Sequence, residues 1–287
     1  MSLLQARPPP RRSSLSLAVP NPRAAAILAA VIATACHRDP DSHSWRAPAD
    51  APAPPPLELA LLWDVPAPFC PREIGPGTAG DAWLRDGSRG AGIRLVDGLE
   101  AAAPMAAPPA PPPAATALDR HPEFAGRTSS TPWGRLEIFS LPERHALVAF
   151  DVEKERIAWE FHAAAATVVA PLVVRGRVVL VSLDNHLYCV RARNGHEIWR
   201  ARAAARLGLP PSFWRDRVIV APEGSPELEA YHLRDGSRAG KFPLGDATAR
   251  VTAPPAVVED VLLVPYARYG SQACRLRAAR LRERGAG

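Results

Sequence analysis

Leu147-Val148-Ala149-Phe150-Asp151-Val152-Glu153-Lys154-Glu155-Arg156-Ile157-Ala158-Trp159 is answered 40 residues later by Leu187-Tyr188-Cys189-Val190-Arg191-Ala192-Arg193-Asn194-Gly195-His196-Glu197-Ile198-Trp199. A third, worn copy, Leu228-Glu229-Ala230-Tyr231-His232-Leu233-Arg234-Asp235-Gly236-Ser237-Arg238, starts 41 residues after Leu187. Between the copies a second phrase recurs. Pro171 to Val181 is matched by Pro211 to Ala221 and again by Pro255 to Val264. A fixed period near 40 sets the architecture before local propensity does, because one such unit cannot bury its apolar faces without a neighbour.

Each period reads as four short strands. Leu-x-Ala-Phe/Tyr alternates as a strand does, and Asn194-Gly195 or Asp235-Gly236 supplies a tight turn with positive φ. Glu197-Ile198-Trp199 is the next strand, and Pro211 opens an apolar strand that turns at Asp216-Arg217 into Val218-Ile219-Val220. The expected fold is therefore all-β, with four-stranded antiparallel blades stacked as a partial or small β-propeller.

The phrase Ala149-x-Asp151-x-x-Lys154-Glu155-Arg156-x-x-Trp159 resembles the quinoprotein-type (PQQ-like) propeller repeat, Ala-x-Asp-x-x-Thr-Gly-Lys-x-x-Trp. The second copy sets Cys189, Arg191, Asn194, Gly195, His196 and Trp199 at those places; the third sets Ala230, His232, Asp235, Gly236, Ser237 and Gly240. The repeat-structural residues are thus Ala149, Asp151, Trp159, Asn194, Gly195, Trp199, Asp235 and Gly236. Trp159 and Trp199 are expected to pack between blades, since a recurring large aromatic covers apolar area at each junction. The resemblance covers roughly residues 130–275.

Working outward, residues 119–287 hold the repeats. Gly134 to Ser140 matches Gly176 to Ser182 as a partial unit before the first full one, and Ala273 to Arg284 could add a strand or a short terminal helix. Residues 101–118 are a Pro/Ala-rich linker. Residues 57–100 are a candidate degenerate blade: Leu84-Arg85-Asp86-Gly87-Ser88-Arg89 nearly repeats Leu233 to Arg238, although Gly87 and Gly236 stand 149 residues apart, not a clean multiple of the period. Residues 37–56, with Pro40, Pro48, Pro52 and Pro54 to Pro56, read as an extended tether. Together the Pro/Ala-rich stretches predict a disordered N-terminal region.

Residues 1–36 read as an export signal. Arg7, Arg11, Arg12 and Arg23 precede an uncharged run from Ala24 to Ala35, too short to span a bilayer and the right length for a signal core. Its end, Ile32-Ala33-Thr34-Ala35-Cys36, is similar to a bacterial lipobox, which makes Cys36 the lipidation site; plain secretion is the alternative. Of the other cysteines, Cys189 takes the small repeat position held by Ala149 and Ala230, and a Cys70–Cys274 disulfide is open to the remaining two.

The formal net charge of +6 would suit an anionic partner. Lys154 and Lys241 are the only lysines among 35 basic residues, the arginines are scattered, and no nucleic-acid fold signature accompanies them, so nucleic acid is not an expected partner. Quinone-dependent relatives imply adjacent disulfide-bonded cysteines, a calcium-binding Glu and Asn, and a catalytic Asp. Here no two cysteines are adjacent. No H-x-x-H, H-E-x-x-H, Gly-x-Ser-x-Gly or phosphate-cradling Gly-rich loop occurs. The sequence therefore predicts no catalytic, cofactor or metal residues, no cofactor and no small-molecule substrate. At the level of repeat and signal, the chain resembles the lipoprotein propeller subunit of the bacterial outer-membrane barrel-assembly machinery. That resemblance implies a non-catalytic binding or scaffolding module, lipid-anchored at the outer membrane on the periplasmic side, with envelope proteins as partners. A divergent quinoprotein-type dehydrogenase and a sensor or ligand-binding ectodomain are the alternatives.

Overall fold

A computed structural model describes residues 57–283 apart from 78, 79, 88, 100 and 102–116. Within them, 20 strands form five antiparallel sheets, and the helical turns are short 3₁₀ segments. The first four strands are β1 (Leu57–Pro66), β2 (Glu73–Pro76), β3 (Asp81–Asp86) and β4 (Arg89–Arg94). The partial unit and first copy give β5 (Thr131–Trp133), β6 (Leu136–Leu141), β7 (Ala146–Asp151) and β8 (Arg156–His162). The second copy gives β9 (Leu172–Val174), β10 (Arg177–Val181), β11 (His186–Arg191) and β12 (Glu197–Arg202). The third gives β13 (Ser212–Trp214), β14 (Arg217–Val220), β15 (Glu227–His232) and β16 (Arg238–Pro243). Last come β17 (Ala249–Val251), β18 (Ala256–Val258), β19 (Val261–Arg268) and β20 (Cys274–Glu283).

Three sheets are simple four-strand meanders, β5 to β8, β9 to β12 and β13 to β16. The next sheet is closed by the opposite end of the chain: β1 pairs antiparallel with β20 from Leu57↔Glu283 to Pro66↔Arg275, beside β19, β18 and β17. The fifth holds β2, β3 and β4. Residues 57–100 therefore do not make one blade. They give one strand to the C-terminal sheet and three to a sheet of their own. The segment after Ala273 is strand, not helix, because β1 offers it a partner along its whole length.

Apolar clusters run from sheet to sheet and fix the order. One joins Ile138, Leu147, Ala149 and Trp159 to Val178, Leu180 and Val190; a second joins Cys189 and Trp199 to Val218, Val220 and Tyr231. A third carries Ile219, Leu228 and Phe242 onto Leu57, Leu262 and Leu281, and a fourth carries Leu276 and Ala278 onto Leu84 and Ile93. All six residues of β7 are buried because both its faces are covered. Leu147 and Ala149 face the next sheet, while Ala146, Val148 and Phe150 meet Leu118 and Phe124 from the 3₁₀ turns at Ala117–Arg120 and Pro122–Phe124.

The repeated tryptophans sit where each sheet's outer strand crosses to the following sheet. Trp159 pairs with Ala149 across β7 and β8, and Trp199 with Cys189 across β11 and β12. Their indole N–H groups donate to the Ala192 and Leu233 carbonyls (2.9 and 2.8 Å). Each ring lies on a turn glycine: a Cβ on Gly195 would stand 2.6 Å from Trp159, and one on Gly236 2.6 Å from Trp199. Trp63 on β1 repeats the arrangement, donating to the Leu95 carbonyl (2.8 Å) over Gly98. Gly87, which the repeated phrase aligned with Gly236, instead turns β3 into β4 with open space above it.

A disulfide joins Cys70, between β1 and β2, to Cys274 at the start of β20, across 204 residues. The strands bring the two together, since the Ala67 N–H donates to the Cys274 carbonyl at 2.9 Å. Cys189 is buried and unpaired.

Candidate functional site

Three carboxylates, Asp184, Glu229 and Asp64, are each taken up by a tyrosine. On β11, Tyr188 donates to Asp184 (2.5 Å) and accepts from the Ala164 N–H (3.5 Å). On β15, Tyr231 donates to Glu229 (2.6 Å), whose carboxylate also accepts the Ala204 N–H (3.2 Å). Ala164 and Ala204 begin equivalent loops entering successive sheets, so these contacts tie each loop to the strand beside it. On β19, Tyr266 donates to Asp64 of β1 (2.7 Å), and Arg275 and Arg277 of β20 donate to the same carboxylate. Burial would raise the Asp64 pKa, but the Tyr266, Arg277 and Arg275 hydrogen bonds together hold it below its usual value.

These groups are poorly placed for acid–base work. Burial, then the neighbouring Glu229, pushes the Tyr231 phenol up to about 12. Burial likewise pushes the Cys189 thiol to about 12, so no thiolate forms there near neutral pH. Burial, then the Arg217 charge, lowers the His232 pKa, which keeps that ring neutral. Among the described residues, no three His, Cys, Asp or Glu stand close enough to hold a metal ion.

The residues present do not fit a bound quinone. The rings of Trp159 and Trp199 lie on turn glycines, and their N–H groups are spent on backbone carbonyls, so neither offers a free stacking face. Cys70 and Cys274 bridge distant strands and form no adjacent pair.

The structure spreads the residues singled out by the repeat over successive turns and gathers them into no common site. Ala149 is fully buried under Trp159. Asp151, 3% exposed, accepts the N–H groups of Glu153 and Lys154 (3.2 and 3.1 Å) and pairs with Arg135 at 2.7 Å. Asn194 accepts the His196 N–H (3.2 Å), and Asp235 accepts the Ser237 N–H (2.9 Å). Asp97 does the same for Leu99 (3.0 Å) beside Gly98, a fourth member that the repeated phrase missed. Spacing would have found it: Trp63 and Gly98 stand 35 residues apart, against 36 for Trp159 and Gly195 and 37 for Trp199 and Gly236. Cys36 lies outside the described residues.

A cleft of about 760 Å³ opens between β16 and β1, lined by Leu59, Leu61, Phe242, Leu244, Val264 and Arg277 among others. It occupies the one sheet junction from β5 through β4 whose outer strand carries glycine, Gly240, at the tryptophan position; Gly240 pairs with Ala230 as Trp159 does with Ala149.

The family described as outer membrane protein assembly factor BamB matches residues 115–283. The chain belongs to that family of PQQ-like propellers. No curated protein matches it. Among solved structures it is similar to BamB from Moraxella catarrhalis, at 11% identity and a TM-score of 0.41, covering 73% of this chain and 63% of that one. A europium-containing methanol dehydrogenase is similar over 39% of this chain and 24% of its own, at 16% identity and a TM-score of 0.36. The computationally designed Ika4 protein is similar over 55% of this chain and 91% of its own, at 9% identity and a TM-score of 0.44. The chain thus spans less than two thirds of the BamB structure's length.

Proposed function

We propose that this chain is an exported, lipid-anchored propeller that binds envelope proteins and performs no chemistry of its own. The observation that carries the reading is the family match over the repeats, residues 115–283. Three others support it. The apolar run ending at Cys36 suits a lipoprotein signal. The Cys70–Cys274 disulfide suits an oxidising compartment. The tyrosine–carboxylate pairs leave Asp184, Glu229 and Asp64 bound to structural partners.

Partner capture tests the core of the proposal. Crosslinking intact envelopes and purifying through a tag on this chain should recover the same envelope protein repeatedly; recovery of the bait alone would remove the binding role. Replacing Cys36→Ala should move the protein from the membrane to the soluble fraction, because a lipid chain is the attachment. Unchanged membrane association would remove the anchor. Incubation with pyrroloquinoline quinone and calcium, followed by washing, should leave no chromophore; a stoichiometric one would put the dehydrogenase reading first.

A further inference from the structure

At the junction between β16 and β1, the missing tryptophan changes the packing. A Cβ on Gly240 would meet the Phe242 ring at 2.7 Å and the Leu57 carbonyl at 3.5 Å, so β1 closes directly onto β16 there. Beyond that contact, towards Leu61 and Gly245, the strands leave the cleft of about 760 Å³ between them. Its floor is aliphatic, built from Leu228, Leu244, Leu262 and Val264, which also belong to the core cluster of this junction. Leu61 on its wall is 61% exposed.

The polar part of the cleft is cationic at one end. Arg277 spends Nε and Nη2 on Asp64, while Nη1 lies at Gly245, 3.3 Å from where a Cβ on that glycine would sit. Arg275 binds the same carboxylate, so two guanidiniums share one negative charge and the corner keeps an excess positive charge. Lys241 is matched by Glu227 and Glu229, at 3.6 and 3.7 Å. At the far end Arg282 stands opposite Glu58 in the strand register.

Strand addition along the β16 side of this cleft is hindered. The Leu244 N–H donates to the Pro226 carbonyl, so along β16 the alternate residues Lys241 and Pro243 turn their backbone to the free edge. On β1 the Ala67 N–H donates to Cys274, which turns Pro66 to the free edge in the same way. Pro243 lacks an N–H and removes a donor from the β16 edge beside the cleft; Pro66 does the same farther along β1, beyond the cleft. The contacts that the cleft offers an occupant are its aliphatic side chains and Arg277.

We infer that this cleft binds a linear aliphatic carboxylate, with the chain along Leu59, Leu61 and Phe242 and the carboxylate at Arg277. Leu57 to Leu61 spans about 13 Å at the strand rise, and carbon–carbon bonds near 1.5 Å make that an extended chain of about ten carbons. The site is separate from the partner-binding reading, and neither result decides the other.

Dodecanoate, titrated below its micellar concentration into the full-length protein and followed by calorimetry, is expected to saturate at one per chain. Dodecyltrimethylammonium, with the same chain and opposite charge, is expected to bind at least about tenfold more weakly, since Arg277 repels it. Leu61→Glu, at an exposed position, places a like charge beside the carboxylate and is expected to weaken dodecanoate by about tenfold or more. Leu59→Trp fills the cleft and is expected to do the same; if that variant fails to fold, Leu61→Glu decides. Absence of saturable binding, equal binding of the cationic amphiphile, or dodecanoate binding unchanged in Leu61→Glu would each overturn the assignment.

Discussion

Gly195 and Gly224 have nearly the same backbone, φ +69° and +68°, but only Gly195 has a ring above it. Alanine at either must adopt the left-handed region, a cost of about 1–2 kcal/mol. At Gly224 nothing lies within 4 Å, so Gly224→Ala should cost that amount and no more. At Gly195 the new methyl would stand 2.6 Å from Trp159, which must move out of a packed junction. Overpacking of this kind adds about 1–3 kcal/mol, giving about 2–5 kcal/mol for Gly195→Ala when combined with the backbone cost. Trp159→Ala alone should cost about 3–5 kcal/mol. In that background the clash has no partner, so adding Gly195→Ala should cost only about 1–2 kcal/mol. The cycle therefore predicts a coupling of about 1–3 kcal/mol between two sites 36 residues apart. Equilibrium urea unfolding of the four proteins, with Gly224→Ala as control, measures it. Equal costs for Gly195→Ala and Gly224→Ala, or strict additivity with Trp159→Ala, would refute the claim that the ring requires the glycine. Glu155 argues the same way: at φ +48° it holds the corresponding place in the first copy, and it is exposed.

Replacing both Cys70 and Cys274 with serine frees a loop of 204 residues, worth about 5 kcal/mol in the chain-entropy account, and the melting temperature should fall accordingly; an unchanged melt would mean that the bridge closes nothing. The depressed Asp64 and Asp235 carboxylates, the latter held at about 2 by Ser237 and Arg234 against the opposing effect of burial, contribute stability that is complete above the unfolded carboxylate range near pH 4. That stability should drain away as pH falls through their folded values. Asp64→Asn should therefore lower stability at pH 7 and flatten its loss between pH 4 and 2; a pH profile parallel to the parent would show that Asp64 carries no part of it. Phe124→Ala should cost about 3–5 kcal/mol by uncovering the outer face of β7, read by the same urea titration, and a loss below about 1 kcal/mol would show that face to be self-sufficient.

The repeat was readable because its period imposes itself on every element: Leu147, Leu187 and Leu228 all open strands of the same kind, and Trp159 and Trp199 stack as a recurring aromatic should. What stayed hidden depends on pairing across the whole chain. Trp63 matches no repeated phrase and is betrayed in the sequence only by its spacing to Gly98, whereas the place of its strand depends on β20. The Cys70–Cys274 bridge follows from that pairing and from nothing in the spacing of the cysteines. Gly87 misled because Asp-Gly serves any tight turn, and only the ring above Gly98, Gly195 and Gly236 distinguishes one kind. The turn before β14 falls one residue early, at Arg215-Asp216, with Arg215 at φ +53°, as Arg175 and Glu259 are at φ +50° and +56° in the neighbouring sheets. The cleft at β16 was written in Gly240, but as an absence, which a search for matching residues passes over.

The pairing of β1 with β20 also dictates when the molecule can finish folding. The meanders from β5 to β16 join neighbours in the chain and need only local searches, whereas β1 must wait for a partner more than 200 residues away to be made. Until then two ten-residue strands, one near each end of the described chain, present open ladders to solvent. Such edges invite pairing with the wrong chain. The slowest and most aggregation-prone moment in the life of this protein is thus the last one, and the disulfide between Cys70 and Cys274 can form only after it has passed.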